Sequence, residues 1–264
     1  MRLSETISND PLRILPYGMT GSGKTSLIGR MAQFEEFRPM YIADWDARVA
    51  SLRATLAPEY WQYIETDVYR DGNIGGEAYT LMQAKIEKLA SMNIKTFIID
   101  SGTFMMKGIM NRVLALDGKP ITMTPQLQHY NQLISIFEEI VARVCGKKMN
   151  FIMTCHEATL QDEVTQRIYK VVDLTGKKAP NRIPGYFNEF WHCEVRQTTA
   201  KGSEFVVRTR SDNTYAARTS FRTLTNEEPQ TDIWQKIIKE RANVLQQNIG
   251  ATAAKVDSPP KAVA

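Results

Sequence analysis

The chain has 264 residues, 43% of them apolar, with a formal charge of +4, which is ample for one large α/β domain and neither demands nor excludes a nucleic-acid partner. Cys145, Cys155 and Cys193 stand far apart with no C-x-x-C pair, so a disulfide scaffold is excluded and reduced thiols packed in a core are expected. No basic-then-apolar leader opens the chain and no apolar run approaches the length of a membrane span, so the expectation is a soluble, cytoplasmic protein without membrane contact.

Leu12-Arg13-Ile14-Leu15-Pro16-Tyr17 reads as a short buried strand, and Ser26 to Ala32 as the start of a helix. Between them Gly18-Met19-Thr20-Gly21-Ser22-Gly23-Lys24-Thr25 has the G-x-x-x-x-G-K-[ST] spacing of a phosphate-binding P-loop. Glycines there permit positive φ and close backbone approach, so that successive N–H groups turn onto phosphate oxygens. Lys24 is a flexible cation that reaches the β- and γ-phosphates, Thr25 offers its hydroxyl to Mg²⁺, and Ser26 closes the cofactor-binding stretch Gly18 to Ser26. The expected cofactors are ATP and Mg²⁺, although no guanine-reading N-K-x-D motif or other feature selects ATP over GTP.

Strand-like and helix-like runs then alternate, as in a largely parallel sheet with crossover helices on both faces. Met40 to Ala43 leads to Asp44-Trp45-Asp46, and Trp61 to Ile64 leads to Glu65-Thr66-Asp67. Glu77 to Ser91 has helical spacing and Thr96 to Ile99 forms a central strand ending at Asp100. A helix around Phe104 to Leu116 and a longer one over Gln126 to Val144 precede the strand Phe151 to His156. Beyond it, Gln166 to Leu174, Glu189 to Gln197 and Glu204 to Arg210 read as antiparallel additions to the sheet. Asp232 to Gln247 reads as an amphipathic helix, so residues 1–249 are expected to form a single ATPase domain and 250–264 a disordered tail.

Asp100 ends TFIIDS in the manner of a Walker B strand and is expected to order Mg²⁺; the alternative is a cap for the following helix. Asp46 is the first candidate for holding or deprotonating the attacking water, with Asp44 either near the metal or capping its turn, and Glu65 and Asp67 as weaker rivals. His156 and Thr154, at the tip of a buried strand beside Glu157, are candidates for sensing the γ-phosphate, against a purely structural histidine.

The succession GMTGSGKT, YIADWDA, TFIIDS, FIMTCHE and PNRIPGYFNEFWHCEV resembles phage-encoded RecA-like P-loop ATPases, in particular the core-only Sak-four group of single-strand annealing recombination proteins. The resemblance runs from about Leu12 to Phe221. It implies a RecA-like fold, ATP hydrolysis, single-stranded DNA as partner, and assembly as a homo-oligomeric ring or filament. It places the family's water-positioning acid on Asp46, where many relatives carry the longer Glu. It also places a basic residue near the nucleotide at Arg218, to stabilise transition-state charge in cis or across an interface; the alternative is a solvated surface arginine. For DNA, Lys107, Arg112 and Lys119 form one cluster and Lys177, Lys178 and Arg182 another, with Tyr169, Tyr186 and Phe187 as aromatic platforms; the competing readings are a solvated lysine loop and, for Tyr186 and Phe187, simple packing as the next strand begins. An NTP-driven motor or helicase-type subunit and a nucleotide-binding scaffold with little hydrolysis stand as alternatives.

Overall fold

The computed structural model describes residues 10–72, 75–161, 165–176, 178–198 and 202–256. Strand β1 (Arg13–Tyr17) runs into the P-loop and helix α1 (Lys24–Gly29). Then follow β2 (Met40–Asp44), β3 (Ile64–Val68), α2 (Glu77–Lys88), β4 (Thr96–Asp100), α3 (Gly102–Leu116), α4 (Leu127–Cys145) and β5 (Asn150–Met153). The remainder is β6 (Glu157–Gln161), β7 (Ile168–Val172), the short helix α5 (Ala179–Arg182), β8 (Glu189–Thr198), β9 (Gly202–Arg208), β10 (Glu227–Pro229) and α6 (Ile233–Val256).

Among the described residues eight strands form one sheet in the order β10-β9-β8-β1-β5-β4-β2-β3. From β8 to β3 every pairing is parallel, and β9 and β10 add to the β8 side antiparallel. The fold is therefore α/β with a mostly parallel central sheet and antiparallel strands added on one side, and β5 is interposed between the P-loop strand and the strand that carries Asp100. Strand order reverses at β1: β2 to β5 lie to one side and β8 to β10 to the other, which opens a crevice at its carboxyl end.

Because the central strands are covered on both faces, they read as unbroken apolar runs, with alternate residues entering opposite cores. Leu15, Tyr17, Phe97, Ile99, Phe151 and Met153 pack under α2, α3 and α4. Ile14, Ile42, Ile98, Ile152 and Trp191 pack on the other face, with Leu27 and Ile28 of α1 and Ile233, Trp234 and Ile237 of α6. Trp234 is fully buried, and its indole Nε1 donates to the carbonyl of Leu27 at 2.8 Å. The last helix is thus fastened to the first.

Several elements differ from the sequence expectation for physical reasons. Pro58 opens a 3-10 turn over Pro58–Tyr63, so the strand expected at Trp61 begins at Ile64 instead. Glu65 and Asp67 consequently lie within the exposed edge strand, facing Lys85, rather than at a strand tip. Glu189–Thr198 is parallel to β1, not antiparallel. β7 leaves the main sheet altogether and pairs with β6 in a separate two-stranded ribbon. α6 continues through Gly250 to Val256, where a disordered tail was the expectation; residues 257–264 lie outside those described. Among the described residues the three cysteines are free, and no helix is long and apolar enough to cross a membrane.

Replacing Trp234 with Ala should lower the unfolding free energy by about 3–5 kcal/mol, as expected for emptying a buried indole site. Denaturant titration reads this directly. An unchanged midpoint would mean that α6 contributes nothing to holding α1.

Candidate functional site

The P-loop backbone is drawn tightly against its neighbours. A Cβ on Gly18 would lie 2.2 Å from the carbonyl oxygen of Cys193 on β8, and one on Gly23 would lie 2.5 Å from Oε1 of Gln230. Gly23 also has a φ of +84°, so a side chain there is opposed by both space and backbone conformation. Gln230 is buried and donates from Nε2 to the carbonyl of Ser22 at 2.8 Å, which braces the loop from behind.

Lys24 is only 7% exposed and folds back over the loop, donating at 2.8 Å to the carbonyls of both Gly18 and Met19. Burial lowers its pKa, while Cys193, Asp100 and Asp46 act in the opposite sense. The loop carbonyls thereby satisfy the ammonium, but they carry no full charge, so an anion entering the loop is a stronger partner.

Asp100 closes the opposite wall. Its carboxylate accepts from Thr25 Oγ1 at 2.8 Å and from Thr154 Oγ1, while its carbonyl receives the N–H groups of Trp45 at 2.6 Å and Asp46 at 3.3 Å. Burial raises its pKa, the two hydroxyl bonds lower it, and the nearby Asp46 and Asp44 raise it further. A desolvated carboxylate pressed by two others is stabilised by a cation. Among the described residues no group of three or more His, Cys, Asp or Glu side chains forms a metal cage. The Thr25–Asp100 pair instead suits Mg²⁺, a hard ion that keeps water and phosphate oxygens among its ligands.

Asp46 accepts from Ser101 Oγ at 3.2 Å and lies 3.2 Å from His156 Nε2, while His156 Nδ1 is 3.3 Å from Thr20 Oγ1. An imidazole with its proton on Nε2 satisfies both contacts, donating to Asp46 and accepting from Thr20. Asp44 takes the capping alternative, accepting the backbone N–H groups of Arg48 at 3.2 Å and Val49 at 3.0 Å.

A cavity of about 480 Å³ collects Thr20, Gly21, Gly23, Lys24, Thr25, Ser26, Asp46, Asp100 and His156 on its walls. Gly18 and Met19 contribute through the carbonyls that hold Lys24, and the Ser22 hydroxyl lies 3.5 Å from its ammonium. Arg218 is not among the lining residues; its guanidinium donates to the carbonyls of Pro184 at 2.9 Å and Phe187 at 2.5 Å. Arg48, Ala50, Ser51 and Phe205 line the cavity in addition. Arg48 was open to notice, two residues beyond Asp46 in the same turn. Phe205 and Gln230 come from strands and loops remote in sequence, with no local pattern to mark them.

Of the residues considered for DNA, Phe187 is buried in the core against Phe151, Tyr186 donates to Glu138 at 3.0 Å, and Arg182 pairs with Glu138 at 2.9 Å. Lys107, Lys119 and Lys178 are exposed, Arg112 and Tyr169 half-buried, and Lys177 lies outside the described residues. The β6–β7 ribbon that carries Tyr169 starts one residue after His156. Its first residue, Glu157, pairs with His192 at 2.6 Å and Lys170 at 2.8 Å, and His192 stacks on Tyr215. Tyr17, the last residue before the P-loop, donates to the Ala216 carbonyl at 2.8 Å and meets the His192 ring edge-on. One buried network therefore joins the ribbon to the strand that feeds the P-loop.

Residues 10–221 match the AAA domain family, and the chain belongs to it. No curated protein matches the sequence. Among solved structures it is similar to an ATPase from the type III secretion system of pathogenic bacteria, at 13% identity and TM-score 0.48 over 69% of this chain and 52% of that one. It is similar to the RadB recombinase at 12% identity and TM-score 0.46, over 86% and 94%. A third is the ATPase EscN of enteropathogenic E. coli in complex with its central stalk EscO, at 14% identity and TM-score 0.45, over 69% and 42%. The chain thus spans about half the length of the first of these.

Burial raises the pKa of Glu157, but bonds and charges from His192 and Lys170 outweigh it and hold the carboxyl below its ordinary 4.5. The native state therefore binds fewer protons at this group than the unfolded chain does. The stability it adds is complete above that ordinary value and is lost as pH falls through the native one. Glu157→Gln should accordingly be less stable than the parent at neutral pH, with the gap narrowing in acid. Paired denaturant curves from pH 7 to pH 3 test this, and a gap that stays constant would exclude the ion pairs as its source.

Proposed function

We propose that this member of the AAA domain family binds ATP with Mg²⁺, hydrolyses the terminal phosphoanhydride, and works on single-stranded DNA in recombination or annealing. One observation carries the nucleotide part: Lys24, Thr25, Asp46, Asp100 and His156, drawn from separate elements, line the same cavity. Its size falls in the range of small-molecule sites.

Within this reading the P-loop N–H groups and Lys24 hold the phosphates, Lys24 exchanging two neutral carbonyls for charged oxygens. Thr25 and Asp100 hold Mg²⁺, which when bound neutralises phosphate charge and fixes its geometry for in-line attack. Asp46 accepts the proton of the attacking water, and His156 aims the Asp46 carboxylate through their 3.2 Å contact. Arg48 supplies a cation on the cavity wall, the place expected of Arg218 from the resemblance.

The DNA part is supported by the resemblance and by chain continuity. The β6–β7 ribbon bearing Tyr169 and Lys170, with Arg167 just ahead of β7, begins beside His156, so a strand lying across it is linked by one short segment to the group that aims Asp46. Assembly into a ring or filament belongs to the same proposal.

Steady-state ATP hydrolysis should rise on adding single-stranded DNA and vanish in Lys24→Ala together with nucleotide binding. Asp46→Asn should keep nucleotide affinity but slow turnover about 100-fold, the scale of a lost general base. Turnover at the parent rate in Asp46→Asn removes that residue from the mechanism. ATP binding and hydrolysis that ignore DNA would turn the reading toward a motor or a scaffold engaging another partner.

A further inference from the structure

The cavity is not uniform. Thr20 meets His156 and His156 meets Asp46, and in the reading above this polar cluster, with Asp100, faces the terminal phosphate and its metal. The same lining includes Gly23, Ser26 and Phe205, an aromatic ring that is 42% exposed. The ring lies against the loop itself, since a Cβ on Gly23 would come within 2.7 Å of its Cδ1. It has no aromatic partner among the described residues. Its backbone is nonetheless firmly placed: Phe205 pairs with Val195 in the β8–β9 ladder, and its carbonyl accepts the N–H of Gln230 at 3.0 Å, the residue that braces the P-loop.

A part-exposed aromatic ring with a fixed backbone, on the wall of the cavity that holds the P-loop, suits the planar base of a nucleotide. We infer that Phe205 stacks on the nucleobase and so orients the nucleoside end of the ligand, a role that rests on the nucleotide reading above. Triphosphate and base are then gripped by different parts of the chain, the P-loop and the antiparallel extension, with Gln230 tying the two grips together. Because every base presents a π-face, the contact strengthens binding without choosing among bases. Phe205 touches no reacting atom and is a positioning residue.

The test separates the two ends of the ligand in binding experiments that need no turnover. Affinities for ATP, ADP and inorganic tripolyphosphate would be measured by calorimetry with Mg²⁺ for the parent protein, Phe205→Ala, Phe205→Trp and Lys24→Ala. Phe205→Ala should weaken ATP and ADP by about 10-fold, the scale of one lost base–aromatic stack. It should leave tripolyphosphate unchanged, and Phe205→Trp should restore nucleotide affinity. Equal weakening of all three ligands, or no weakening of any, would overturn the stacking role. A parent protein that binds neither ATP nor tripolyphosphate would instead overturn the nucleotide reading itself, as would Lys24→Ala binding them normally.

Discussion

The carboxyl group of Asp100, with its own backbone carbonyl, is the point on which the rest of the site depends. Thr25 approaches it from α1, Thr154 from the tip of β5, and the backbone of Trp45 and Asp46 from the tip of β2. A buried carboxylate costs several kcal/mol unless its lone pairs are met. These strand tips and the helix start are therefore gathered around it by necessity, and the same gathering sets Lys24, Asp46 and His156 on one cavity. The burial and like charges that disfavour ionised Asp100 also make the place receptive to a cation.

The second constraint acts from behind. A P-loop must approach its neighbours closely while keeping its N–H groups turned toward the ligand. Here the carbonyl of Cys193 and the amide of Gln230 occupy the space where side chains on Gly18 and Gly23 would stand. Trp234 fixes the helix that follows. The C-terminal third of the chain therefore builds the wall that lets a local loop hold its shape. The Glu157–His192–Lys170 network does the same for the strand entering the loop, and the ribbon it anchors leads away from His156.

Much of this was legible in the linear chain because it is local chemistry. The P-loop has a fixed spacing, and the apolar runs ending in Asp44 and Asp100 announce buried strands with polar tips. The helices α2, α3 and α4 were placed within a few residues of their ends, whereas α6 runs on past Gln247 to Val256. Illegible were the features set by competition between distant segments. The sequence from Gln166 to Leu174 is as strand-like as any added to the main sheet, yet it pairs with β6, its nearest partner along the chain. Arg218 reads equally as a cation for phosphate or as a surface group, and only the tertiary structure shows its guanidinium on the carbonyls of Pro184 and Phe187.

By itself, then, the sequence determined a nucleotide-type loop between a strand and a helix, the parallel α/β class, and the acids standing at strand ends. These follow from periodicity and from the backbone freedom of glycine, which act over a few residues. Tertiary structure alone decided which acids share a cavity, that Asp44 caps its turn while Asp46 meets His156, and that Arg48, Phe205 and Gln230 surround the P-loop. Those outcomes depend on strand order and on which side chains close the gaps between packed layers. That is a matter of shape and desolvation across long separations in the chain, which no local pattern encodes.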